Sequence, residues 1–471
     1  MQLLVPALAG LVYLAVVLVL VLTPAGNQAR LLPLALLAVD PKVFQSGEGG
    51  SIDGLQKAAV LLVILVLALR QGVVLEPLRL VLPAVLAVSA VLSLLPIHDG
   101  LLRSSPDVAV RAFLGYVLPW TVLLVRWRRD QVRAMLRFAM VLPILTIPLG
   151  IVLHVAGIWN MLSYLDGTPR LQGSSIPAHL AMLAVVGVLA AAVATVTDPA
   201  SERLAAWTMR LNLLLCVATF TRIAILAAAI VLLGLIAWCL SREGRLRPRA
   251  RAATAWSVGF LVLGGLGALP ALLARSSGNS YEGSFNTSGR EQAWPFYLSL
   301  GDASPLIGRG LGFSSVAQAT LKPVGVQTLE APHNEYIHLY VDGGVLLLAL
   351  FLLGLALVLA RAAGVGRRAG LVVGAFGLAL AVYAVTDNPF STPQFSVPLA
   401  IVLAALLVLR QERRDDPAVA AAAADSGALE DAVLPGDPHH GQPVPQRDRR
   451  TEEQEAGDHH RERRPVWSAR G

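Results

Sequence analysis

Long apolar runs alternate with short polar links along this chain, and the pattern predicts a bundle of membrane-spanning helices. A helix needs about 20 consecutive apolar residues to cross the hydrocarbon core of a bilayer. Twelve runs approach or exceed that length, at about residues 3–22, 55–70, 77–95, 108–125, 133–157, 177–197, 204–220, 223–240, 252–273, 336–360, 369–386 and 395–410. We therefore predict an all-α, polytopic membrane protein of about twelve transmembrane helices.

The beginning of the chain leaves the number of spans open. A shorter apolar run at residues 31–39 is interrupted by Pro33 and is either a half-span or a thirteenth helix, which would move the N-terminus to the other face. The run at 3–22 has no basic stretch before it and no small-residue cleavage site after it. We expect it to remain in the protein as a span rather than to be removed as a signal peptide.

Two polar regions interrupt the apolar pattern and define the domains. One excursion, at about residues 274–335, predicts a single large loop outside the membrane. Beyond residue 410 the composition shifts to Asp, Arg, Glu, Pro, Gly and His with an alanine run, without apolar periodicity. We predict a membrane-embedded domain at 1–410 and a disordered cytoplasmic tail at 411–471.

Composition and charge narrow the class of protein and orient it. Of 471 residues 55% are hydrophobic and only 15% are charged, which excludes a soluble protein of this size. The net charge is +7, but the basic residues are divided among short loops and a tail and do not form one nucleic-acid-binding patch. These loops are separated by even numbers of spans and therefore share one face of the membrane, which the positive-inside rule identifies as cytoplasmic. The 274–335 loop and residues 158–176 then lie outside. Cys216 and Cys239 fall inside apolar helices near opposite faces of the membrane on this topology, and they are not expected to pair.

Several arginines break the positive-inside pattern. Arg222 occupies a tight turn between two helices on the outer side, and Arg103, Arg111, Arg170, Arg290 and Arg309 lie on or near the same side. Each guanidinium could snorkel to water or pair with an acid. As a group they instead predict an anion site, because planar guanidinium groups bind phosphate oxygens in bidentate fashion.

The stretch PHNEYIHLYVDGG, residues 332–344, places a histidine where the outer loop re-enters the membrane. His333 is either a residue that begins the helix or a general base at the membrane surface, with Asn334 or Glu335 fixing its tautomer. His338 is five residues further on, which does not fit the four-residue spacing of a helical zinc motif, and we expect it to pack. The sequence predicts no metal site.

The outer loop also contains SPLIGRGLGF at residues 304–313. Its glycine spacing is not a dinucleotide-binding motif, because no strand and helix of the required kind surround it. A tight turn is one interpretation, and backbone amides around an anion are the other. Arg290 and Trp294 are spaced to lie one turn apart on a short helix.

Four stretches resemble the superfamily of O-antigen ligases and Wzy-type polysaccharide polymerases, which are bacterial inner-membrane proteins. They are RLQGSSIPAHLA at 170–181, TRIAIL at 221–226, SGREQAW with SPLIGRGLGF at 288–313, and PHNEYIHLYVDGG at 332–344. The last two, in that order, are the more specific. One departure is that Ile176 and Ala178 flank Pro177, where the family usually has asparagine near the proline.

The resemblance implies a helical fold related to the C-type glycosyltransferases. It also implies transfer of a glycan from an undecaprenyl diphosphate carrier to an acceptor hydroxyl outside the cytoplasmic membrane, without metal or cofactor. His333 would be the catalytic base, Arg222 and Arg290 would bind the diphosphate, and Asn334, Glu335, Arg170 and Arg111 are supporting candidates. The implied partners are a lipid-linked oligosaccharide or polysaccharide donor, a glycan or lipid acceptor and the membrane, with no nucleic acid.

Two questions stay open at this point. The resemblance does not separate a ligase, which attaches a finished glycan, from a polymerase, which joins repeat units. A flippase for lipid-linked sugars would use the same arginines, but such transporters usually show repeated halves, and we find no convincing internal repeat. A peptidoglycan polymerase of the cell-shape type fits the helix count but lacks a clear acidic motif.

Overall fold

The computed structural model describes residue 15 and residues 29–44, 50–95, 105–165, 168–241, 245–277, 290–321, 331–366 and 369–415. The predicted span at 3–22, most of the polar stretches on either side of residues 290–321, Arg103 and the tail from 416 onward lie outside these residues.

The described chain is helical apart from short links and one hairpin. Proline occupies the first turn of α2, α3 and α5, where its missing amide hydrogen would have no helical partner. The helices are α1 (Gly50–Gln71), α2 (Pro77–Leu94), α3 (Pro106–Thr121), α4 (Arg129–Val155), α5 (Pro177–Thr197), α6 (Glu202–Ala218), α7 (Arg222–Leu240), α8 (Pro248–Ser277), α9 (Arg290–Asp302), α10 (Phe313–Leu321), α11 (Glu335–Ala363), α12 (Ala369–Ala384) and α13 (Pro393–Asp415).

The helices agree with the apolar pattern and establish a polytopic, all-α membrane protein. Within the described residues, nine helices are long and apolar enough to cross a membrane. The predicted span at 369–386 forms the shorter apolar helix α12, and the one at 204–220 forms α6, which carries charged residues. The total of about twelve spans and the extent of the outer loop stay predictions.

Two helices form the centre of the bundle. Along α5 nearly every side chain from Leu180 to Ala194 is buried, and α13 is buried to a similar extent from Phe395 to Val408. A helix that is apolar on all sides belongs inside other helices. The outer helices instead expose large apolar side chains, such as Leu263 on α8 at 71%, as a lipid-facing surface requires.

Close packing of α7 against α12 determines where Arg222, the first residue of α7, lies along the bundle. Gly234 of α7 lies against Leu371 and Ala375 of α12, so close that a Cβ atom at residue 234 would overlap the Ala375 side chain. Small residues let membrane helices approach in this way. Tyr383, near the end of α12, also interacts electrostatically with Cys216, near the end of α6. The start of α7 therefore stands beside the end of α12.

The uncertain apolar run at 31–39 is a 3₁₀ helix, Ala29–Ala38, and another follows at Pro41–Phe44. Its 10 residues are about half of what a span needs, which agrees with the half-span interpretation. Asp40 anchors this region, because its Oδ2 lies 2.5 Å from Nδ1 of His179 on α5. Burial would raise the pKa of Asp40, but His179 and the amide of Lys42 hold it at about 2.

Strands β1 (Leu162–Leu165) and β2 (Thr168–Leu171) form an antiparallel hairpin between α4 and α5. In its register Ser163 faces Arg170. Two further 3₁₀ turns, Val122–Leu124 and Pro199–Ser201, link helices at the other end of the bundle. Arginines from the α3–α4 link and from the ends of α11 and α13 meet there around one cavity.

Candidate active site

His333 directly precedes α11 in an unusual backbone conformation. Its φ angle is 45°, in the left-handed region that non-glycine residues rarely adopt. Asn334 caps the helix, since its side-chain oxygen accepts hydrogen bonds from the amides of Tyr336 (3.0 Å) and Ile337 (3.1 Å). On the other side, the indole of Trp294 donates to the carbonyl of Pro332 at 2.9 Å. Both neighbours of His333 are thereby fixed.

The imidazole of His333 faces a carboxylate from a distant part of the chain. Nδ1 of His333 lies 3.4 Å from Oδ1 of Asp387, in the link between α12 and α13. The His333 side chain is 39% exposed and that of Asp387 only 12%. Burial would raise the pKa of Asp387, but His333, the Asn388 amide and the charge of Arg290 together hold it below its usual value. A carboxylate at Nδ1 favours the tautomer with Nε2 unprotonated.

Glu335 holds the Asp387 link against the start of α11. Its buried carboxylate accepts hydrogen bonds from the hydroxyl of Tyr116 at 3.0 Å and from the amide of Phe390 at 2.9 Å. Asn334 and Glu335, expected as partners of the imidazole, therefore make other contacts in the structure. One caps the helix and the other positions the segment that carries Asp387.

Arg290 begins α9 near this pair. Its charge interacts with Asp387, and burial lowers the pKa of its guanidinium while Asp387 opposes that change. Nε of Arg290 is buried, and within the described residues it has no hydrogen-bond partner. The same holds for the hydroxyl of Tyr383 and the side-chain oxygen of Asn388. Buried polar atoms are rarely left unsatisfied, so this group is suited to bind a polar ligand.

Arg170 and Arg222 meet at the turn between α6 and α7. Arg170 on β2 donates from Nε to the carbonyl of Thr219 at 2.8 Å and from Nη2 to the hydroxyl of Thr221 at 3.1 Å. Phe220, in the middle of this turn, has a φ angle of 50°. Arg170 thus braces the turn that presents Arg222 as the first residue of α7.

Tyr383 interacts electrostatically both with the residues around His333 and with Arg170, so these two parts of the site are close to each other. Its hydroxyl interacts with the charges of Asp387, Arg290 and Arg170. The structure therefore gathers His333, Arg290 and Arg170 at one end of the bundle, with the turn before Arg222 beside them. Arg111 is placed differently, in an ion pair of 2.8 Å with Asp107 on the first turn of α3. Arg309 donates from Nε to the carbonyl of Leu300.

The glycine-rich segment forms a turn whose amides bind a carboxyl group of the protein itself. Gly308, Gly310 and Gly312 all have positive φ angles. The amides of Gly312 and Ser314 donate to the carboxylate of Asp342 at 2.6 and 2.9 Å. The tight-turn interpretation of SPLIGRGLGF is confirmed, and two amides of this segment bind the side chain of Asp342.

His338 lies inside the protein, as expected for a packing residue. Its ring is T-shaped to Tyr116 at 5.5 Å, and its nitrogens lie 3.7 Å from Glu335 and 3.6 Å from Asp342. Within the described residues, no three His, Cys, Asp or Glu side chains are grouped so as to hold a metal ion. Cys216 and Cys239 are both buried, as expected for cysteines that act as small hydrophobic residues.

Asp387 and Tyr383 were missed by sequence reasoning. Both lie near the end of the penultimate apolar run, more than 40 residues after His333 in the chain. The signal that could have found Asp387 is the TDNPF stretch at 386–390, a turn sequence that carries an acid on the predicted outer side.

These features define the class as a polytopic, all-helical membrane protein with a His–Asp pair and arginines gathered at one end of the bundle. The comparison with protein families is more specific, because residues 204–352 match the model described as O-Antigen ligase (Wzy_C). Residues 204–352 therefore match the O-antigen ligase family, and the resemblance seen in the sequence is confirmed for this part of the chain. No curated protein matches the chain.

The matched segment contains Arg222, Arg290 and His333, whereas Arg170 and Asp387 lie outside it. The family implies a glycosyltransferase-like enzyme that transfers glycans in the assembly of a surface polysaccharide.

Proposed function

We propose that this protein transfers a glycan from an undecaprenyl-diphosphate-linked donor to an acceptor hydroxyl at the outer face of the cytoplasmic membrane. The observation that supports this proposal most directly is the His333–Asp387 pair beside Arg290. The buried Nε of Arg290 has no hydrogen-bond partner within the described residues. The reaction serves either ligation of a finished glycan or polymerisation of repeat units. It uses no metal and no cofactor.

In the proposed reaction His333 is the general base. Asp387 accepts a hydrogen bond from protonated Nδ1, which leaves Nε2 unprotonated. Nε2 therefore accepts the proton of the acceptor hydroxyl. The hydroxyl oxygen forms a bond to the anomeric carbon of the donor sugar. The bond from that carbon to the diphosphate oxygen breaks, and its electron pair leaves with the diphosphate. Asp387 stabilises the imidazolium that results.

Arg222 and Arg290 bind the diphosphate in this proposal. Their guanidinium groups stabilise the negative charge that grows on the leaving group in the transition state. Arg170 supports Arg222 indirectly, because it braces the turn that precedes α7. Buried or half-buried arginines remain charged at neutral pH, and their planar groups fit two phosphate oxygens at once.

Replacing His333 with alanine tests the catalytic step. We expect glycan transfer to fall on the order of 10²- to 10⁴-fold, the usual contribution of a positioned general base. The measurement is the chain length or surface attachment of glycan in cells that carry the variant, with protein abundance determined by immunoblot. His154→Ala is the matched control, because His154 is an exposed histidine on α4. Normal glycan with His333→Ala at normal abundance would remove His333 from the mechanism.

Replacing Arg222 with lysine tests the diphosphate site and separates transfer from transport. Lysine keeps the charge but cannot form the bidentate contact, so we expect glycan transfer to decrease. A full rate would favour snorkelling as the role of Arg222. Proteoliposomes holding the wild-type protein should yield a glycan product from labelled donor and a suitable acceptor. Movement of the labelled lipid across the bilayer without product would instead support the flippase alternative.

A further inference from the structure

A second candidate binding site lies at the end of the bundle opposite His333. It is a cavity of about 720 Å³ between the starts of α2 and α4 and the ends of α11 and α13. Helix α11 runs from Glu335, near His333, to Ala363, near this cavity, which is roughly 40 Å at a rise of about 1.5 Å per residue. We call it the arginine cavity, after its lining residues Arg79, Arg126, Arg129, Arg361 and Arg410.

The charge around the arginine cavity is strongly unbalanced. Against five arginines its lining has one carboxylate, Glu76. Glu76 lies between Arg79, at 3.1 Å, and Arg361, at 3.4 Å, and so its charge is already shared. Arg79 is almost fully buried, and besides Glu76 it contacts the carbonyl of Leu123, to which its Nη1 donates at 3.3 Å.

The positive-inside effect accounts for arginines at this end, but not for their convergence on one cavity. The neighbouring cavity shares Arg129 and is lined by three more arginines, Arg128, Arg133 and Arg137. It also has two carboxylates, Asp130 and Asp198, of which Asp198 forms an ion pair with Arg133 at 2.7 Å. Nε of Arg137 is buried, and within the described residues it has no hydrogen-bond partner. Trp127, Leu407 and Val408 add apolar walls to the arginine cavity. Guanidinium groups beside apolar walls suit an anion at the membrane surface.

We propose that the arginine cavity binds a phosphate-bearing anion. Arginine forks match phosphate oxygens in geometry and charge, and basic pockets between membrane helices recognise anionic headgroups. The phosphate belongs either to an anionic phospholipid of the surrounding leaflet or to a free phosphate compound in solution. This site is independent of the proposed transfer reaction.

The test is thermal unfolding of the purified full-length protein in neutral detergent. The probes are short-chain phosphatidylglycerol, inorganic diphosphate and, as a zwitterionic control, short-chain phosphatidylcholine, all at equal ionic strength. The variant Arg126→Gln/Arg129→Gln removes two exposed arginines of the cavity. The matched control, Arg249→Gln/Arg251→Gln, removes two exposed arginines from the start of α8, outside the lining.

We expect an anionic probe to raise the melting temperature of the wild type and of the α8 control, with phosphatidylcholine having a smaller effect. The apparent affinity should fall about tenfold or more in Arg126→Gln/Arg129→Gln, since each lost charged contact is worth about a factor of ten. A response to both anionic probes supports a site for the phosphate group itself, and a response to phosphatidylglycerol alone identifies the source as lipid. The absence of any shift, or equal shifts in the cavity variant and the α8 control, overturns the proposal.

A cavity variant with a low starting melting temperature is still informative, because native mass spectrometry counts the bound phosphatidylglycerol directly. Fewer bound molecules than in the α8 control support the site, and equal numbers contradict it.

Discussion

His333 is held in a left-handed backbone conformation by contacts on both sides. Such a conformation costs a non-glycine residue roughly 1–3 kcal/mol, which neighbouring contacts must offset. Trp294 fixes the carbonyl of Pro332 before it, and Asn334 begins α11 after it. The imidazole is therefore aimed by its backbone as well as by Asp387. Under the proposed function, this arrangement prepares the base before any acceptor arrives.

Asp387→Asn should impair transfer while leaving the imidazole in place. An amide cannot stabilise a charged imidazolium as a carboxylate does, and we expect the rate to fall roughly 10- to 100-fold at neutral pH. The measurement is the initial rate of glycan transfer, beside the melting temperature of the same preparation. An unchanged rate would leave Asp387 a structural residue only.

The same variant gives a pH test with a defined sign. The pKa of Asp387 is lowered in the folded protein, so its charge contributes stability that is fully present above the ordinary value of 3.8. That contribution is lost as the pH falls through the folded pKa. The difference in melting temperature between wild type and Asp387→Asn should thus be largest near neutral pH and shrink below 3.8. A difference that grows on acidification would contradict the lowered pKa.

At this scale the sequence identified candidate residues, but not the residues that they contact. His333 and Arg290 were identifiable because a histidine and an arginine near the outer end of apolar helices are unusual. Asp387 was not, because the contact joins residues 54 positions apart and hydropathy carries no information on which helix ends meet. Arg111 was selected by the same outer-side rule, although the structure joins it to Asp107.

Among the elements, the glycine-rich turn and helix α11 interlock through their backbones. Gly344 interrupts α11 with φ and ψ angles of 66° and −168°, a combination that is essentially restricted to glycine. A Cβ atom there would lie 2.3 Å from the carbonyl carbon of Leu306. Asp342, two residues earlier, accepts the amides of Gly312 and Ser314. The outer segment is thereby joined to the helix that His333 precedes.

Gly344→Ala should destabilise the protein and reduce transfer together. Backbone strain alone costs roughly 1–3 kcal/mol, and the overlap with Leu306 adds to it. The melting temperature in detergent and the glycan assay measure the two effects. Gly267→Ala on α8 is the control, because a Cβ atom there meets nothing within 4 Å and alanine favours a helix. Equal melting temperatures for the two variants would show that α11 tolerates a side chain at its break.

The sequence located helices well and their special features less well. Apolar runs of about 20 residues identify spans because few other structures satisfy the backbone in lipid. The same rule does not reveal a 3₁₀ helix such as Ala29–Ala38, next to which Asp40 contacts His179 from a distant segment. The glycines of 308–312 indicated a turn, but the sequence alone could not show that an amide of this turn binds Asp342.

For the molecule as a whole, the orientation in the membrane is a prediction that labelling can test. Cys216 and Cys239 are buried, so a membrane-impermeant maleimide should not label the native protein. Asn160→Cys, on the predicted outer side, should react in intact cells. Arg249→Cys, on the predicted cytoplasmic side, should react only after permeabilisation. Both positions are exposed, and the reverse pattern would show that the orientation is inverted.

At this scale hydropathy predicted the class of protein, but not the arrangement of the helices, and the side on which each loop lies stays a prediction. The middle parts of α5 and α13 are almost entirely apolar, yet only the structure shows that these two helices form the centre. Apolar composition is the same on a lipid-facing and on a buried surface, so the sequence does not distinguish them. For the same reason it could not show that Arg126, Arg361 and Arg410 meet in one cavity.

The break at Gly344 also indicates how deep α11 lies in the membrane. From Val345 onward α11 exposes large apolar side chains, among them Leu353 at 56%, whereas the residues before the break are mostly buried. The stretch 345–363 contains about 19 residues and spans about 28 Å, close to the hydrocarbon thickness of about 30 Å. We therefore expect the turn of α11 that carries His338 and Asp342 to lie above the acyl chains, in the layer of the phospholipid phosphates. His333, which directly precedes α11, would then lie level with the lipid headgroups, where the proposed polyprenyl diphosphate donor carries its phosphates.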